Sequence, residues 1–503
     1  VIFLGFQKGR FHFYIMSEKK VSLPKIKTPS FVTEIPLIVT PPQEQALLKR
    51  FEAGRQIYNA CLGESLKRLD LMRQSKAWQK ARKLPAGKSK ADAFKSLHEQ
   101  FGFRKYDLLT YAQRFGHEWL GNHLDSRTVK RLAGRAFTWA KEYLFDPDRG
   151  KPKFRRFGEL NSVESINNLQ GIVWRDNQVI WSAGRNGSKL VFDTLIDHDN
   201  PVIQHGLSCR IKYVRLVRRV LNGKNRFYAQ LVNEGKPYQR FELEQGIVGL
   251  DIGPSTVAIV GPNEAHLKQF CAELEDSQAE IRRLQRKVDR QRRANNPGNY
   301  NENGTVKPRG QRSRWITSNR QRQTEIALTE LKRKQAEYRK SLHGQLVNRI
   351  LQMGDVVKLE KLSYRAFQKM WGKSVGMRAP GMFVARLKQK VNDYGGLVDE
   401  FSTYHTRLSQ TCHGCGQIIK KELSQRWHKC DCGVVAQRDL YSAFLATCVE
   451  DDTFNAIIAN EQWSGVGPLL QAALNDIDQA GPSSFGLNRQ VAADRLLAAV
   501  ENG

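Results

Sequence analysis

The sequence predicts a multidomain α+β protein: an amino-terminal β-barrel-like module carrying a helical insertion, then an α/β core interrupted by further insertions, one of them a four-cysteine ribbon. Three observations predict it. Short β-rich pieces crowd residues 167–235, an apolar strand ending in an acid and a glycine begins at Ile247, and four of the eight cysteines fall between Cys412 and Cys432.

Residues 1–30 read as an extension for which disorder is one reading, and the stretch before Met16 is expected to be an upstream segment without a structural role. Ile35–Thr40 reads as a strand, broken by Pro41-Pro42 before a helix on which Leu47, Leu48, Phe51, Ile57, Tyr58, Cys61 and Leu62 recur at helical spacing. Residues 31–66 and 141–244 are assigned to the β-barrel-like module and 67–140 to the helical insertion. Within the insertion, Lys80, Arg82, Lys83, Lys88 and Lys90 are either a solvated face or a phosphate contact. Lys151, Lys153, Arg155 and Arg156 interleave with Phe154 and Phe157, a pattern that suits backbone neutralisation combined with base stacking. Asn222-Gly223 marks a hairpin between two strands of the module.

The core spans residues 245–408 and 434–450. Ile247, Val248, Leu250 and Ile252 make a buried strand around Asp251, a position that is costly for a carboxylate unless a cation or hydrogen bonds compensate it. The alternative is a carboxylate capping the turn beside Gly253. Thr256–Val260 reads as the antiparallel return. Residues 272–350 form an Arg-rich helical hairpin with a flexible tip, in which Ile281, Leu284 and Val288 mark one face and Arg282, Arg283, Arg286, Lys287 and Arg290 surround it. Asp355–Glu360 is a second strand that ends in an acid.

Cys412, Cys415, Cys430 and Cys432, in the ribbon 409–433, have the spacing of two knuckles that deliver four thiolates to zinc; scattered core cysteines are the alternative. A closed four-thiolate site holds structure and does no chemistry. Asp439 then opens a helix, where an acid is ordinarily a cap or dipole partner. Together with Asp251 and Glu360, it can converge on two magnesium ions that activate water and stabilise the leaving oxygen in phosphodiester hydrolysis. Residues 451–503 form an acidic tail with a linker at Gly481–Ser484.

The formal charge of +31 on 503 residues calls for a polyanionic partner, nucleic acid before an acidic membrane surface. No apolar run reaches the ~18 residues of a membrane helix. The uneven cysteine distribution favours a metal site in a reducing cytoplasm over a disulfide framework.

The order of Gly249-Leu250-Asp251-Ile252-Gly253, Leu359-Glu360-Lys361-Leu362, the ribbon and Arg438-Asp439 resembles the TnpB family of transposon-encoded proteins and the compact type V CRISPR effectors related to it. Pro42–Leu62, Lys151–Phe154 and Ser409–Cys412 extend the resemblance from about residue 35 to 450. It implies a wedge-like β-module and a helical recognition lobe, followed by an RNase H-like RuvC nuclease split by insertions, with Asp251, Glu360 and Asp439 as its carboxylates. It also implies two catalytic Mg²⁺, a structural Zn²⁺, a guide RNA, double-stranded target DNA beside a short DNA motif, and a prokaryotic, nucleoid-associated setting, either as monomer or homodimer. Family members commonly carry Asn two residues after the third acid, where this chain has Tyr441. That departure supports an alternative in which the protein binds DNA through a guide RNA, as a binder or repressor, without cutting. The Asp-Ile-Gly-Pro-Ser-Thr turn also resembles that of sugar kinases and actin-like ATPases, but the second phosphate loop those need is missing from the sequence.

Overall fold

A computed structural model describes residues 4–7, 10–13, 28–146, 149–182, 188–274, 276–422 and 425–480. Most of 1–30, the linker at Gly481–Ser484 and the acids beyond it lie outside the described residues. The chain divides into two compact units, Val1–Arg219 with Arg226–Tyr238, and Val220–Asn225 with Gln239–Gly503. Both mix helices and strands.

In the first unit, β1 (Leu4–Gln7) pairs with β2 (Arg10–Phe13). The main sheet contains β3 (Ser30–Ile38), β4 (Ser162–Glu164), β5 (Ile172–Arg175), β6 (Gln178–Ser182), β7 (Lys189–Thr194), β8 (Ile211–Leu221) and β9 (Lys224–Glu234) in the order β4-β8-β9-β3-β7-β6-β5. Helices α1 (Pro41–Gln74), α2 (Lys76–Lys83), α3 (Lys88–Gln100), α4 (Lys105–Gln113) and α5 (Ser126–Phe145) lie between β3 and β4, and α6 (Pro201–Ser208) follows β7. The proline-initiated helix forms as its pattern requires, with Leu47, Phe51, Ile57, Tyr58, Cys61 and Leu62 buried.

The barrel expectation is corrected: among the described residues the sheet is open, because its edges are satisfied by side chains and not by each other. Asn168 accepts from the Trp174 amide of edge strand β5 at 2.7 Å, and Arg135 donates to the Ser162 carbonyl of edge strand β4 at 2.9 Å.

In the second unit, β10 (Ile247–Ile252), β11 (Thr256–Val260), β12 (Ala265–Gln269), β13 (Val356–Glu360) and β14 (Leu397–Phe401) form a five-stranded sheet ordered β12-β11-β10-β13-β14. β10 is antiparallel to β11 and parallel to β13. The long connections a parallel pair needs are supplied by α7 (Asp276–Asn295) and α8 (Asn319–Leu351) before β13, and by α9 (Tyr364–Arg378) and α10 (Pro380–Tyr394) after it. Then come α11 (Thr403–Thr406), the paired β15 (Trp427–Lys429) and β16 (Val435–Gln437), α12 (Arg438–Thr447), the paired β17 (Val449–Glu450) and β18 (Thr453–Phe454), and α13 (Ala456–Ala480).

Strand alternation sorts β10 into two faces. Val248, Leu250 and Ile252 join a core with Val347, Ile350, Phe383 and Leu387, whereas Leu440, Phe444 and Leu445 of α12 belong to a second core with Ala258 and Val260. The hairpin tip expected to be flexible is tied down. Asn296 donates to the carbonyls of Arg292 (2.9 Å) and Ile316 (2.8 Å), and Asn299 accepts from the Ser313 amide at 2.8 Å. The acidic tail is also partly structural, since Leu470, Ala473 and Leu474 of α13 are buried in the second core.

Candidate functional site

Asp251, the last but one residue of β10, and Glu360, the last of β13, lie on neighbouring parallel strands, each one residue beyond the paired Leu250 and Leu359. Asp439 reaches them by way of a glycine. A Cβ on Gly249 would sit 1.9 Å from the Ala443 carbonyl oxygen, so α12 lies directly on the β10 backbone, an approach no other residue allows. From that crossing, Asp439 is one helical turn back and Asp251 two strand residues on, steps of roughly 6–7 Å. Lys358 holds the far end of α12, donating to the carbonyls of Thr447 (3.3 Å) and Val449.

Asp439 is relieved of a capping role, because Gln437 caps α12 by accepting from the Leu440 amide at 2.7 Å. Its carboxylate has Arg438 at 3.5 Å and Arg426, from the ribbon loop, at 3.9 Å. The carboxylates of Asp251 and Glu360 have no hydrogen-bond or ion-pair partner among the described residues. Burial, then the neighbouring Asp439 and Glu360, push the Asp251 carboxyl well above the usual range, with Arg438 opposing. Burial raises Glu360 to about 7. Partnerless, part-buried acids facing one another are unfavourable as anions and are relieved by a cation, so the donor set fits hard divalent ions. The turn-capping alternative for Asp251 is not needed, since Gly253 and Thr256 close that turn through a backbone bond of 2.9 Å.

The ribbon brings its four thiols together: the sulfur atoms of Cys412, Cys415, Cys430 and Cys432 lie within 4.8 Å of one another. The closest pairs are 3.5 Å (Cys412 and Cys432) and 3.4 Å (Cys415 and Cys430). Zinc–sulfur bonds of ~2.3 Å require tetrahedral edges of roughly 3.8 Å, so the cluster has the dimensions to hold zinc. The three carboxylates do not gather to this spacing.

Tyr441 points away from the acids, into the seam between the ribbon and α12. Its hydroxyl accepts from the His413 amide at 2.9 Å and lies 2.7 Å from His413 Nδ1, and its ring is tilted against His428 at 4.4 Å. Trp463 of α13 closes the same cluster against His413 at 4.6 Å. Sequence reasoning missed Gly249, Lys358 and Trp463. Of these only Gly249 carried a signal, a glycine inside an otherwise apolar strand.

The basic residues expected to meet nucleic acid fall in both units. In the first, Lys151, Lys153, Arg155 and Arg156 are exposed on a loop pinned to α1 by Asn59, which accepts from the Arg155 amide (2.9 Å) and donates to its carbonyl (2.8 Å). In the second, Arg282, Arg283, Arg286 and Arg290 are exposed on α7 and Lys287 is half-buried. No described helix is long and apolar enough to cross a membrane.

The fold and site thus define a mixed α/β protein with a four-thiol centre packed against a helix that carries one of three neighbouring acids. Residues 381–445 match the family described as Cas12f1-like, TNB domain, a stretch containing the four cysteines, Asp439 and Tyr441. The match is confined to that stretch of the chain. Among solved structures, a cryo-EM structure of a Cas12f1–sgRNA–target DNA complex aligns over 83% of this chain and 98% of that one, at 10% identity and a TM-score of 0.47. A CRISPR–Cas12f ternary complex aligns over 81% and 82%, at 12% identity and a TM-score of 0.29. Both are weak likenesses. No curated protein matches the chain.

Proposed function

We propose that the protein is an RNA-guided DNA endonuclease with a RuvC-like site formed by Asp251, Glu360 and Asp439. The observation that carries this reading is the pair of partnerless acids at adjacent strand ends, with Asp439 brought beside them over Gly249. The five-stranded mixed sheet, the Cas12f1-like TNB domain and the charge of +31 support it. The acids would hold two Mg²⁺ ions, which when bound supply an activated water and charge stabilisation at the leaving oxygen. The chain's own part is to fix the three carboxylates on a rigid sheet and helix, with Arg438 and Arg426 limiting the charge around Asp439. The four cysteines would hold a structural Zn²⁺. Guide RNA would select the double-stranded target by pairing, while exposed basic residues neutralise backbone.

Tyr441, whose hydroxyl is engaged with His413, does not stand in for the family's Asn beside the acids, so a guide-dependent binder without cleavage is the second reading. The test is to purify the protein with its co-purifying RNA and add matched plasmid and magnesium. Cleavage is expected, and Asp251→Ala, Glu360→Ala and Asp439→Ala should each lower it by on the order of 1,000-fold or more while retaining RNA. RNA-dependent binding without cleavage would instead establish the binder.

A further inference from the structure

The first unit contains a cavity of about 400 Å³ between α4, α5 and β8, within the size range of small-ligand sites. Its lining is strongly cationic: Lys105, Lys130, Arg131, Arg135 and Arg215 against one acid, Glu164. That acid is already used. Buried Glu164 is gripped by Arg131 at 2.8 Å and Arg215 at 2.7 Å. Lys105 and Lys130 have no ion-pair partner among the described residues, and Arg135 donates to Ser162 while sharing the charge of Glu164 with Arg131 and Arg215. Five cations around a single acid leave the concave wall with excess positive charge, which favours an anion from outside.

Aromatic surface accompanies the charge. Trp139 is 41% exposed, with the Arg149 guanidinium stacked on its ring at 5.1 Å, and Tyr213 lies under Arg131 at 4.9 Å. Cations beside exposed aromatic and guanidinium planes are the combination that holds an unstacked base with its phosphate. Gly134 completes the shape. It sits inside α5, where glycine weakens a helix relative to alanine, and it lines the cavity opposite Lys105, whose Cε would be 3.3 Å from an added Cβ.

We propose that this cavity is a nucleotide site, taking one unstacked nucleotide of a single-stranded nucleic acid with its phosphate against Lys105, Lys130 and Arg135 and its base against Trp139 or Tyr213. The proposal rests on the reading that the chain binds nucleic acid, but not on cleavage. RNA and DNA share this chemistry, so the test uses both.

The full chain is irradiated with a short single-stranded RNA carrying 4-thiouridine and, separately, with the matching DNA carrying 4-thiothymidine, and adducts are mapped by mass spectrometry. An adduct on the peptide containing Trp139 or Tyr213 is expected, and the probe that gives it identifies the source. Gly134→Leu, which fills the cavity, should lower adduct yield and affinity by roughly tenfold, the worth of one stacked base. Gly134→Ala, which helix propensity favours, tests folding and should bind nearly as the parent does. Adducts that map elsewhere with both probes, or a yield unchanged in Gly134→Leu, would overturn the site. Neither result bears on plasmid cleavage, so failure here is separable from failure of the nuclease reading.

Discussion

At the scale of single residues, the carboxylates make a pH prediction whose sign can be worked out. Glu360 holds its proton to about 7 in the fold against 4.5 ordinarily, and Asp251 is shifted the same way. Between those values the folded, metal-free protein binds protons that the unfolded chain has released, so stability falls as pH rises through the window. A cation that binds the ionised acids reverses the loss. Magnesium should therefore raise the melting temperature by several degrees at about pH 8 and by little at about pH 5. Glu360→Gln should raise the metal-free melting temperature at the higher pH and remove most of the magnesium effect. Equal magnesium shifts at both pH values would refute the assignment. The acids themselves were legible because each interrupts a pattern: Asp251 and Glu360 interrupt apolar strands. The reason for Tyr441 was not, since its partner His413 is 28 residues away and nothing in the local sequence points to it.

At the scale of elements, strand alternation and helical periodicity placed β10, β11, β13 and α1, because each buries a face that its own residues define. What they could not give was closure. Whether the first unit's sheet forms a barrel is decided at its edges, where Asn168 and Arg135 take the groups a closing strand would need. The seating of α12 on β10 was likewise hidden, although it is the contact on which the acid cluster depends. Gly249→Ala tests it. The added methyl group would meet the Ala443 carbonyl oxygen at 1.9 Å, so α12 must lift or tilt. Overpacking of this kind costs roughly 1–3 kcal/mol or more. A displacement of Asp439 approaching 1 Å is expected to lower cleavage by roughly 100-fold. The decisive comparison is with RNA retention, which the substitution should leave intact. Parental cleavage in Gly249→Ala would show that the helix seat does not position the acid.

At the scale of the whole molecule, charge is the property that sequence reports without any fold, yet it does not say which surface is used. The structure narrows the choice on α7, where Ile281 and Leu284 are buried and Arg282, Arg286 and Arg290 point outward. Two neighbouring cations are already paired, Arg283 with Glu280 at 2.6 Å and Arg293 with Asp289 at 2.8 Å. The apolar stripe fixes the helix orientation, so the arginines form a fixed cationic ridge, suited to phosphates at many sequences and specific for none. Each arginine that neutralises a phosphate releases condensed counterions, so its signature is a change in salt dependence more than in affinity at one condition. Replacing Arg282, Arg286 and Arg290 by Gln should make the plot of log affinity against log salt shallower by roughly two to three units. The loss should be largest at low salt and shrink as salt rises, while cleavage at saturating nucleic acid stays near the parental rate. An unchanged slope would mean that the ridge faces solvent in the bound state and that the backbone is held by other cations, such as Lys151, Lys153, Arg155 and Arg156, where the same substitutions should then produce the missing change in slope.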